Sequence, residues 1–388
     1  MGFNTVFVVT VLTSRMFMPG MPDMPNIPGM DAAGFSGPMR TLTMDLTSDK
    51  KVNAQSKAGV MIPEGLRLGP EVKLTVDLPE KSEVTTGGKA EGDMPDFTMK
   101  LYWKSSEKVL PGQPKVLTAA DVKKAAFMPP EKMKQIQKSI EKEADRSHAY
   151  WPGRDFKKLD KNAATPGNYT LTTNYCGETS FSMEPSQNFL DPINLTSLNN
   201  GADLAKSIKV QWDPVPNAVA YLVTAFSSSD KVMITWTSSA DPEMQGNIYQ
   251  GAISKADMKK YLDSGVLLPA STTACYIPAG IFEGTRAPML MVTAYGNDSI
   301  QEKDGIETQI VVRSTATATL SGMMSKGSDE ESIKSDEENI KSGDSDSAKD
   351  SENTVKEDDS NKTPDKPADK DGDKVKKGLK KLRGVLGL

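Results

Sequence analysis

Apolar and polar residues alternate with a period of two in several stretches between residues 39 and 186. The clearest alternation occurs at residues 42–46, 72–78, 97–103 and 169–175, where Thr, Val and aromatic residues are frequent. Because successive side chains of a strand point to opposite faces, this pattern predicts half-buried β-strands. Turns such as Gly87-Gly88 and Pro111-Gly112 separate the runs, and this composition is typical of an antiparallel sandwich.

A second series of strands is predicted after Asp191-Pro192. Its members are residues 208–212, 221–225, 232–236, 274–277, 290–294 and 309–312. Two helices interrupt the strands. The first follows Pro129-Pro130, where apolar residues recur at helical spacing; they are Met133, Ile136, Ile140 and Ala144. The second is predicted from Ser254, as the N-cap, to Leu262.

These patterns predict an all-β protein with two tandem β-sandwich-like domains, small helical insertions and a long disordered C-terminal tail. The first domain covers residues 39–186 with a helical insertion, and the second covers residues 187–321. Residues 1–38 are expected to be a truncated signal segment followed by a Met/Pro-rich linker. Residues 322–373 form a disordered acidic tail, and residues 374–388 form a basic amphipathic segment.

The N-terminal apolar run at residues 6–12 resembles the core of a signal peptide. It has no basic residue before it, and a small-x-small cleavage site is not evident. The alternatives are a signal peptide with a shortened start and a simple disordered end. The first alternative predicts an extracytoplasmic location, in the periplasm, at the cell surface or secreted.

Charge is distributed unevenly at the C-terminal end. Residues 326–373 contain 17 acidic residues and 8 lysines, whereas residues 374–388 contain five lysines, one arginine and no acidic residue. On a helix, four apolar residues of this basic end share one face, with basic residues around them; the candidate docking residues are Val375, Leu379, Leu382, Leu386, Lys376, Lys380 and Arg383. An anionic membrane surface or a protein partner is the expected contact, and a solvated tail is the alternative.

The second domain resembles a fibronectin type III module. Residues 210–223, with Trp212, Asp213-Pro214 and Tyr221, resemble its second and third strands, and residues 291–296 resemble its penultimate strand. The resemblance implies an immunoglobulin-like β-sandwich over about residues 190–320 and an adhesion, spacer or ligand-binding role. As a whole the chain loosely resembles uncharacterised secreted bacterial proteins.

Catalytic residues are not evident in the sequence. His148 is the only histidine, it lies in a predicted loop, and there is no G-x-S-x-G motif. A pair of carboxylates could act without histidine in a carbohydrate-active enzyme, and Trp151 is the best candidate for an exposed aromatic residue beside such a pair. The body of the chain is also too weakly charged for a nucleic-acid surface.

Two further groups of residues are candidates for metal binding or cross-linking. Met18, Met21 and Met24 carry thioethers that favour Cu(I), although a linker without ligand role is the alternative. Cys176 and Cys275 are expected to form one disulfide or to remain two buried thiols. No cofactor is predicted. The expected function is a non-enzymatic, exported binding or structural protein of a bacterial envelope, with an unknown protein or glycan as ligand.

Overall fold

The computed structural model describes residues 5–17, 19, 37–78, 96–121, 146–153, 159–198, 201–229, 231–241 and 251–321. In these ranges the chain is all-β, as the alternating pattern predicts. The predicted helix at residues 129–144, the Met/Pro-rich linker around residues 20–36 and the tail after residue 321 lie outside the described residues.

The described strands are numbered in chain order. They are β1 (Thr5–Phe17), β2 (Met39–Ser48), β3 (Ala58–Met61), β4 (Glu71–Asp77), β5 (Thr98–Trp103), β6 (Lys115–Thr118), β7 (Ser147–Trp151), β8 (Gly167–Thr173), β9 (Glu178–Met183), β10 (Ile208–Gln211), β11 (Ala220–Ser228), β12 (Val232–Thr237), β13 (Leu268–Pro269), β14 (Ala274–Ile277), β15 (Met289–Tyr295), β16 (Ser299–Lys303) and β17 (Ile306–Thr319). The α-helix α1 spans Lys255–Asp263, and short 3₁₀ turns span Glu64–Leu66 and Pro185–Gln187.

Fifteen of the strands belong to one continuous sheet. Thirteen follow the order β6-β5-β12-β11-β15-β17-β1-β2-β7-β4-β3-β8-β9, while β13 pairs with β11 and β16 pairs with β17. The other two strands, β10 and β14, form a separate antiparallel pair. Most neighbours are antiparallel, but β1 pairs in parallel with β17 and β5 pairs in parallel with β12.

Strand β1 lies near the middle of the sheet. Its side chains alternate between buried and half-buried positions, and Phe7, Val9 and Val11 are fully buried. The interpretation of the apolar run at residues 6–12 as a signal-peptide core or a disordered end is therefore corrected. The run is almost entirely apolar because β1 lies inside the sheet, where one face is buried and the other is half-buried.

The first half of the sheet curls so that its edge strand packs over its centre. Phe181 on β9 meets Phe7 on β1 edge to face, with ring centroids 5.9 Å apart, and stacks on Tyr169 at 5.0 Å. Lys303 on β16 donates a hydrogen bond to the Ser180 carbonyl oxygen at 3.4 Å. Strands β1, β2, β7, β4, β3, β8 and β9 with β16 and β17 thus enclose a barrel-like apolar core, which we call the first-half barrel.

The second half is a sandwich in which β10 and β14 pack against the strands β12-β11-β15-β17. Trp212, just after β10, contacts Tyr221 on β11 with ring centroids 5.3 Å apart, and both side chains are buried. The Val215 N–H donates to the Tyr221 hydroxyl oxygen at 2.9 Å. The buried Tyr221 hydroxyl therefore has a hydrogen-bond partner inside the core, as buried hydroxyls require.

The strands of the two predicted domains are joined across the border at residue 186. The β5–β6 hairpin, from the first predicted domain, extends the edge of the second half through β12. Strand β1 links β17 of the second half to β2 of the first. The two halves therefore share one sheet and belong to one compact unit.

The predicted helix after Ser254 is confirmed. The Ser254 hydroxyl accepts the Asp257 N–H at 3.1 Å, and α1 ends at Asp263, just before Gly265. Met258, Tyr261 and Leu262 of this helix pack on Leu222 and Tyr295 of the sheet. No helix among the described residues is long and apolar enough to cross a bilayer.

Candidate functional site

An open cleft of about 530 Å³ lies at the end of the first-half barrel where β4 and β8 finish and β3 begins. Its volume falls in the range of roughly 300–1,000 Å³ that is usual for small-molecule sites, and barrel mouths are common places for such sites. Its lining residues are Asn53, Ala54, Ser56, Lys57, Ala58, Gly59, Glu71, Lys73, Leu74, Val76, Leu78, Thr172, Thr173 and Asn174. We call this the barrel cleft.

The barrel cleft has an apolar floor. Ala58 and Leu74 face each other across β3 and β4, and both are buried. Val76 is half-buried further along β4, and Leu78 follows with 48% of its side chain exposed. A large aliphatic side chain left this exposed beside a buried apolar floor offers surface for an apolar group of a ligand.

One wall of the barrel cleft is a loop that is fixed by hydrogen bonds. Asn174 accepts the Lys57 N–H at 2.8 Å and donates to the Gln55 carbonyl oxygen at 2.9 Å. Within the loop, the Gln55 N–H donates to the Asn53 side chain at 2.8 Å. Because these amides already have protein partners, they shape the wall, and they are less suited to contact a ligand.

Charged side chains occupy the rim of the barrel cleft. Lys57, Lys73 and Glu71 are exposed, and none of them makes a salt bridge in the part of the chain that the structure describes. The Glu71 carboxylate lies over Gly59, where a β-carbon would collide with it. An isolated glycine inside a strand often marks such a close approach.

A second cleft, of about 480 Å³, is lined by Ile62, Glu64, Arg67, Gly69 and Pro70. Arg67 there lies 3.6 Å from the Asp160 carboxylate, so its charge is partly satisfied. Its lining comes from one short stretch of chain around a 3₁₀ turn, and its apolar side chains are Ile62 and Pro70. We therefore consider the barrel cleft the better candidate.

The structure places His148 away from both clefts. The predicted loop at this residue is in fact strand β7, in which His148 lies exposed, opposite Thr47 on β2 and Asp77 on β4. Asp45 lies nearby on the same face. Partial burial beside Val8 and Tyr150 raises the pKa of its carboxyl. A hydrogen bond from Thr43 and the charge of His148 lower this pKa and partly offset the effect of burial.

Trp151, the best candidate for an exposed aromatic residue, is half-buried. It ends β7 opposite Met44, and it packs against the main core. Trp212 and Trp236 are fully buried, as expected for strand residues of a sandwich. The described tryptophans therefore form no platform beside the barrel cleft.

Cys176 and Cys275, for which a disulfide and two free thiols were the alternatives, are both free thiols in the structure. Cys176 lies in the β8–β9 turn and shares a hydrogen bond with the Thr173 hydroxyl at 3.3 Å, whereas Cys275 lies on β14, opposite Val210. Burial raises the pKa of both thiols. A raised pKa leaves little thiolate at neutral pH, which makes both cysteines poor nucleophiles.

The remaining predicted site residues cannot be placed. Met18, Met21 and Met24 and the candidate docking residues of the C-terminal segment lie outside the described residues. Among the residues that are described, no group of three or more His, Cys, Asp and Glu side chains is arranged to hold a metal ion.

Sequence patterns gave little indication of the barrel cleft. Lys57 and Lys73 are ordinary surface residues of the chain, and Leu78 belongs to an alternating run like several others. The one available signal was Gly59 inside a short apolar stretch. No protein-family model, curated protein or solved structure matches the chain.

Proposed function

We propose that the protein is a non-enzymatic binding protein and that the barrel cleft is its ligand site. The observation that carries this proposal is the combination of an apolar floor with uncommitted charges, Lys57 and Lys73, on the rim. A hydrogen-bonded wall keeps the shape of the cleft in the absence of a ligand. Pre-formed sites of this kind lower the entropic cost of binding.

The alternative, a carbohydrate-active enzyme, needs two carboxylates about 5–10 Å apart in one cleft. Each of the two described clefts has one carboxylate in its lining, Glu71 in the barrel cleft and Glu64 in the other. The described aromatic residues also lie away from the barrel cleft. The binding role is therefore the one that these contacts favour.

We further propose that residues 187–321 form a fibronectin type III-like module. Support comes from the arrangement of β10 and β14 against β12-β11-β15-β17. A second support is the contact of Trp212 with Tyr221, since these are the residues on which the sequence resemblance rests. The module would act as a scaffold that shares β17 with the first-half barrel.

The proposed location remains the bacterial envelope or the exterior. This part of the proposal rests on the resemblance to secreted proteins, because the apolar run at residues 6–12 is accounted for by β1. Fractionation of the native host, with N-terminal sequencing of the recovered protein, tests it. Recovery of the protein from the cytosol alone would contradict an exported role.

The binding role is tested with an NMR fragment screen of the whole protein. We expect fragment hits to cluster on residues 53–59, 71–78 and 172–174. Leu78→Asn places a polar group on the floor and should abolish these hits, whereas Met61→Asn should preserve them, because Met61 is 55% exposed on β3 but does not line the cleft. Hits scattered over the surface, or hits insensitive to Leu78→Asn, would contradict the proposal.

A further inference from the structure

The outer side of the second half of the sheet, which faces away from the main core, carries apolar side chains. In-register pairing between neighbouring strands places these residues on the same side; they are Met16, Met99, Met233, Met289, Met291 and Phe226. We call this the methionine face. Met16 is 48% exposed and Phe226 is 50% exposed, while Met233, Met289 and Met291 are half-buried. An apolar patch that is open to this degree usually marks a contact surface.

Helix α1 covers one end of the same side of the sheet. Leu222 on β11 and Tyr295 on β15 point to this side, and both are buried in the cluster that α1 completes. Phe226 and Met289 lie further along the same two strands, and they belong neither to this cluster nor to the main core. The methionine face therefore adjoins a surface that a helix already covers, and it is suited to a second helix.

The chain turns onto the outer side directly after β6. The Thr118 hydroxyl accepts the Asp121 N–H at 3.2 Å, and the Asp121 carboxylate accepts the Thr118 N–H at 2.9 Å. These two bonds form a capping box for a helical turn that begins at residue 119. Ala119 in this turn and Met99 on the neighbouring strand β5 are each only 5% exposed, although neither belongs to the main core. Their burial indicates that the chain after β6 covers this corner of the methionine face.

The positions of β6 and β7 require the connection between them to cross the sheet. Seven strands separate β6 from β7 in the sheet order, which corresponds to about 38 Å along the sheet at the usual strand spacing. The connection must also run along the strands, because β6 finishes at the end of the sheet where β1 ends. In contrast, Ser147 at the start of β7 lies opposite Ser48, which pairs with Thr5 at the start of β1. The inner side of the sheet is filled by the main core, so a direct connection runs over the outer side and across the methionine face.

Residues 122–145 of this connection lie outside the described residues, and their sequence has the pattern that such a crossing needs. After Pro129-Pro130, the apolar residues Met133, Ile136, Ile140 and Ala144 recur at the spacing of one helix face. A helix over residues 129–144 is about 24 Å long, and the residues on either side of it can span the remaining distance. Lysine and glutamate occupy much of the rest of its surface, so it has one apolar side to place against a sheet.

We propose that the methionine face is the docking surface for residues 129–144 of the same chain, which cross it as an amphipathic helix with Met133, Ile136 and Ile140 turned toward the sheet. This contact removes apolar surface of both partners from water, which is favourable in proportion to the area buried. Methionine side chains are flexible, so they adapt to the shape of a helix that packs on them. The proposal does not depend on the binding role of the barrel cleft, which lies in the first half.

The first test is NMR of the whole protein labelled with carbon-13 at the methionine methyl groups. The double variant Ile136→Asp/Ile140→Asp places two carboxylates on the apolar side of the helix, and it should shift the methyl signals of Met289 and Met291. The signal of Met44, which is fully buried in the main core, should stay in place and shows that the sheet remains folded.

The matched control for this test is Gln135→Asp/Lys142→Gln. It changes the net charge by the same amount as Ile136→Asp/Ile140→Asp, but on the opposite side of the predicted helix. It should therefore leave the methyl signals of Met289 and Met291 unchanged.

Cross-linking provides a second test that does not need a disruptive substitution. In a Cys176→Ser/Cys275→Ser background, Ile136→Cys is combined with Met291→Cys, and the protein is treated with a short bifunctional thiol reagent. The control pair is Ile136→Cys with Met61→Cys, because Met61 is 55% exposed on β3, away from the methionine face. Cross-linking within one chain should be at least about tenfold faster for the first pair, since docking raises the effective concentration of its two thiols.

Methyl signals that respond equally to the two double variants, or to neither of them, would overturn the proposal, as would equal cross-linking rates for the two pairs. Two outcomes would assign the methionine face to another occupant and would also overturn it. Cross-links that join two chains would assign the face to a second copy of the protein. A shift of the Met289 and Met291 signals by Met21→Gln/Met24→Gln, but not by Ile136→Asp/Ile140→Asp, would assign the face to the Met/Pro-rich linker.

Discussion

Charged residues are arranged very differently in the barrel cleft and in the second half of the sheet. At the barrel cleft, Lys57, Lys73 and Glu71 are exposed and make no salt bridge among the described residues. In the second half, the Arg313 guanidinium donates two hydrogen bonds to the Asp298 carboxylate, at 2.6 and 2.8 Å, and 8% and 1% of the two side chains are exposed. The charges of the Asp298–Arg313 pair are thus paired and enclosed, whereas those at the barrel cleft are exposed to water.

The enclosed pair is satisfied on every side that the structure describes. Asp298 also accepts the N–H groups of Ile253 and Val312, both at 2.9 Å, and the Arg313 guanidinium lies 4.4 Å from the centre of the Tyr295 ring. These contacts hold the segment before α1 against β17. Burial of a charge is tolerated only with this degree of pairing.

Both regions belong to one sheet, and β1 provides the strongest test of this arrangement. Val9→Asp places a charge among fully buried side chains of β1 and should prevent folding of both halves, since an unpaired buried charge costs several kcal/mol of a total stability of about 5–15 kcal/mol. Near-UV circular dichroism and size-exclusion chromatography measure the outcome.

Thr10→Asp is the matched control for the β1 test. Thr10 is the next residue and is half-buried on the opposite face, opposite Thr43 and Val311. This variant should remain folded with a modest loss of stability. A folded Val9→Asp protein, or an equal loss in the two variants, would show that β1 is not a core strand.

The ion pair itself gives the next largest expected effect. Asp298→Asn keeps the shape of the side chain but leaves the Arg313 charge buried without its partner, which should lower the free energy of unfolding by about 3–5 kcal/mol. Urea denaturation measures the change. Asp263→Asn removes the exposed Lys259–Asp263 pair of α1 and should cost less than about 0.5 kcal/mol. Similar losses in both variants would remove the distinction between enclosed and rim charges.

These two regions also show which parts of the structure could be predicted. Alternation located β2, β4, β5 and β8, and the cap and spacing after Ser254 gave α1. Strand β1 was misinterpreted because its parallel pairing with β17 brings together residues about 300 positions apart, and a local pattern contains no information on that pairing. Its continuous apolar run then matched a signal-peptide core as well as a buried strand.

The candidate site was less predictable than the fold. The Asp298–Arg313 pair joins an ordinary residue of the β15–β16 turn to an ordinary residue of β17, and the two become important only once the fold brings them together. Lys57, Lys73 and Leu78 come from a loop and two strand ends, and their relation depends on how the barrel closes. The relative positions of these residues result from long-range packing, and they cannot be predicted from local sequence patterns.

The two cysteines allow a smaller test of the difference between the halves. In denatured, unreduced protein, Ellman's reagent should titrate two thiols, because no disulfide joins Cys176 and Cys275. In the folded protein, Cys275 should react at least about tenfold more slowly than the half-buried Cys176, since it is reached only after local opening of the second half. Cys176→Ser and Cys275→Ser proteins assign the two rates. The absence of titratable thiols before reduction would show that a disulfide forms.

Substitution of Asp45 is expected to give the smallest change in stability. The surroundings of its carboxyl are intermediate between those of the exposed charges and those of the enclosed ion pair. Its carboxyl is exposed but flanked by Val8 and Tyr150 on the sheet face, and this partial loss of water raises its pKa above the ordinary value. The folded state therefore binds the proton more tightly than the unfolded state, so the ionised form opposes folding and stability falls as the pH rises through the folded pKa.

Asp45→Asn should consequently stabilise the protein at pH 7, by less than about 0.5 kcal/mol, and should have no stabilising effect at pH 3, where the wild-type carboxyl is protonated in both states. Urea denaturation at the two pH values measures this difference. Asp304→Asn, in the exposed β16–β17 turn, removes the same charge and is the control for charge removal alone. Stabilisation of equal size at both pH values would mean that charge burial at Asp45 is not the cause. Destabilisation at pH 7 would mean that the hydrogen bond from Thr43 and the charge of His148 outweigh the loss of water.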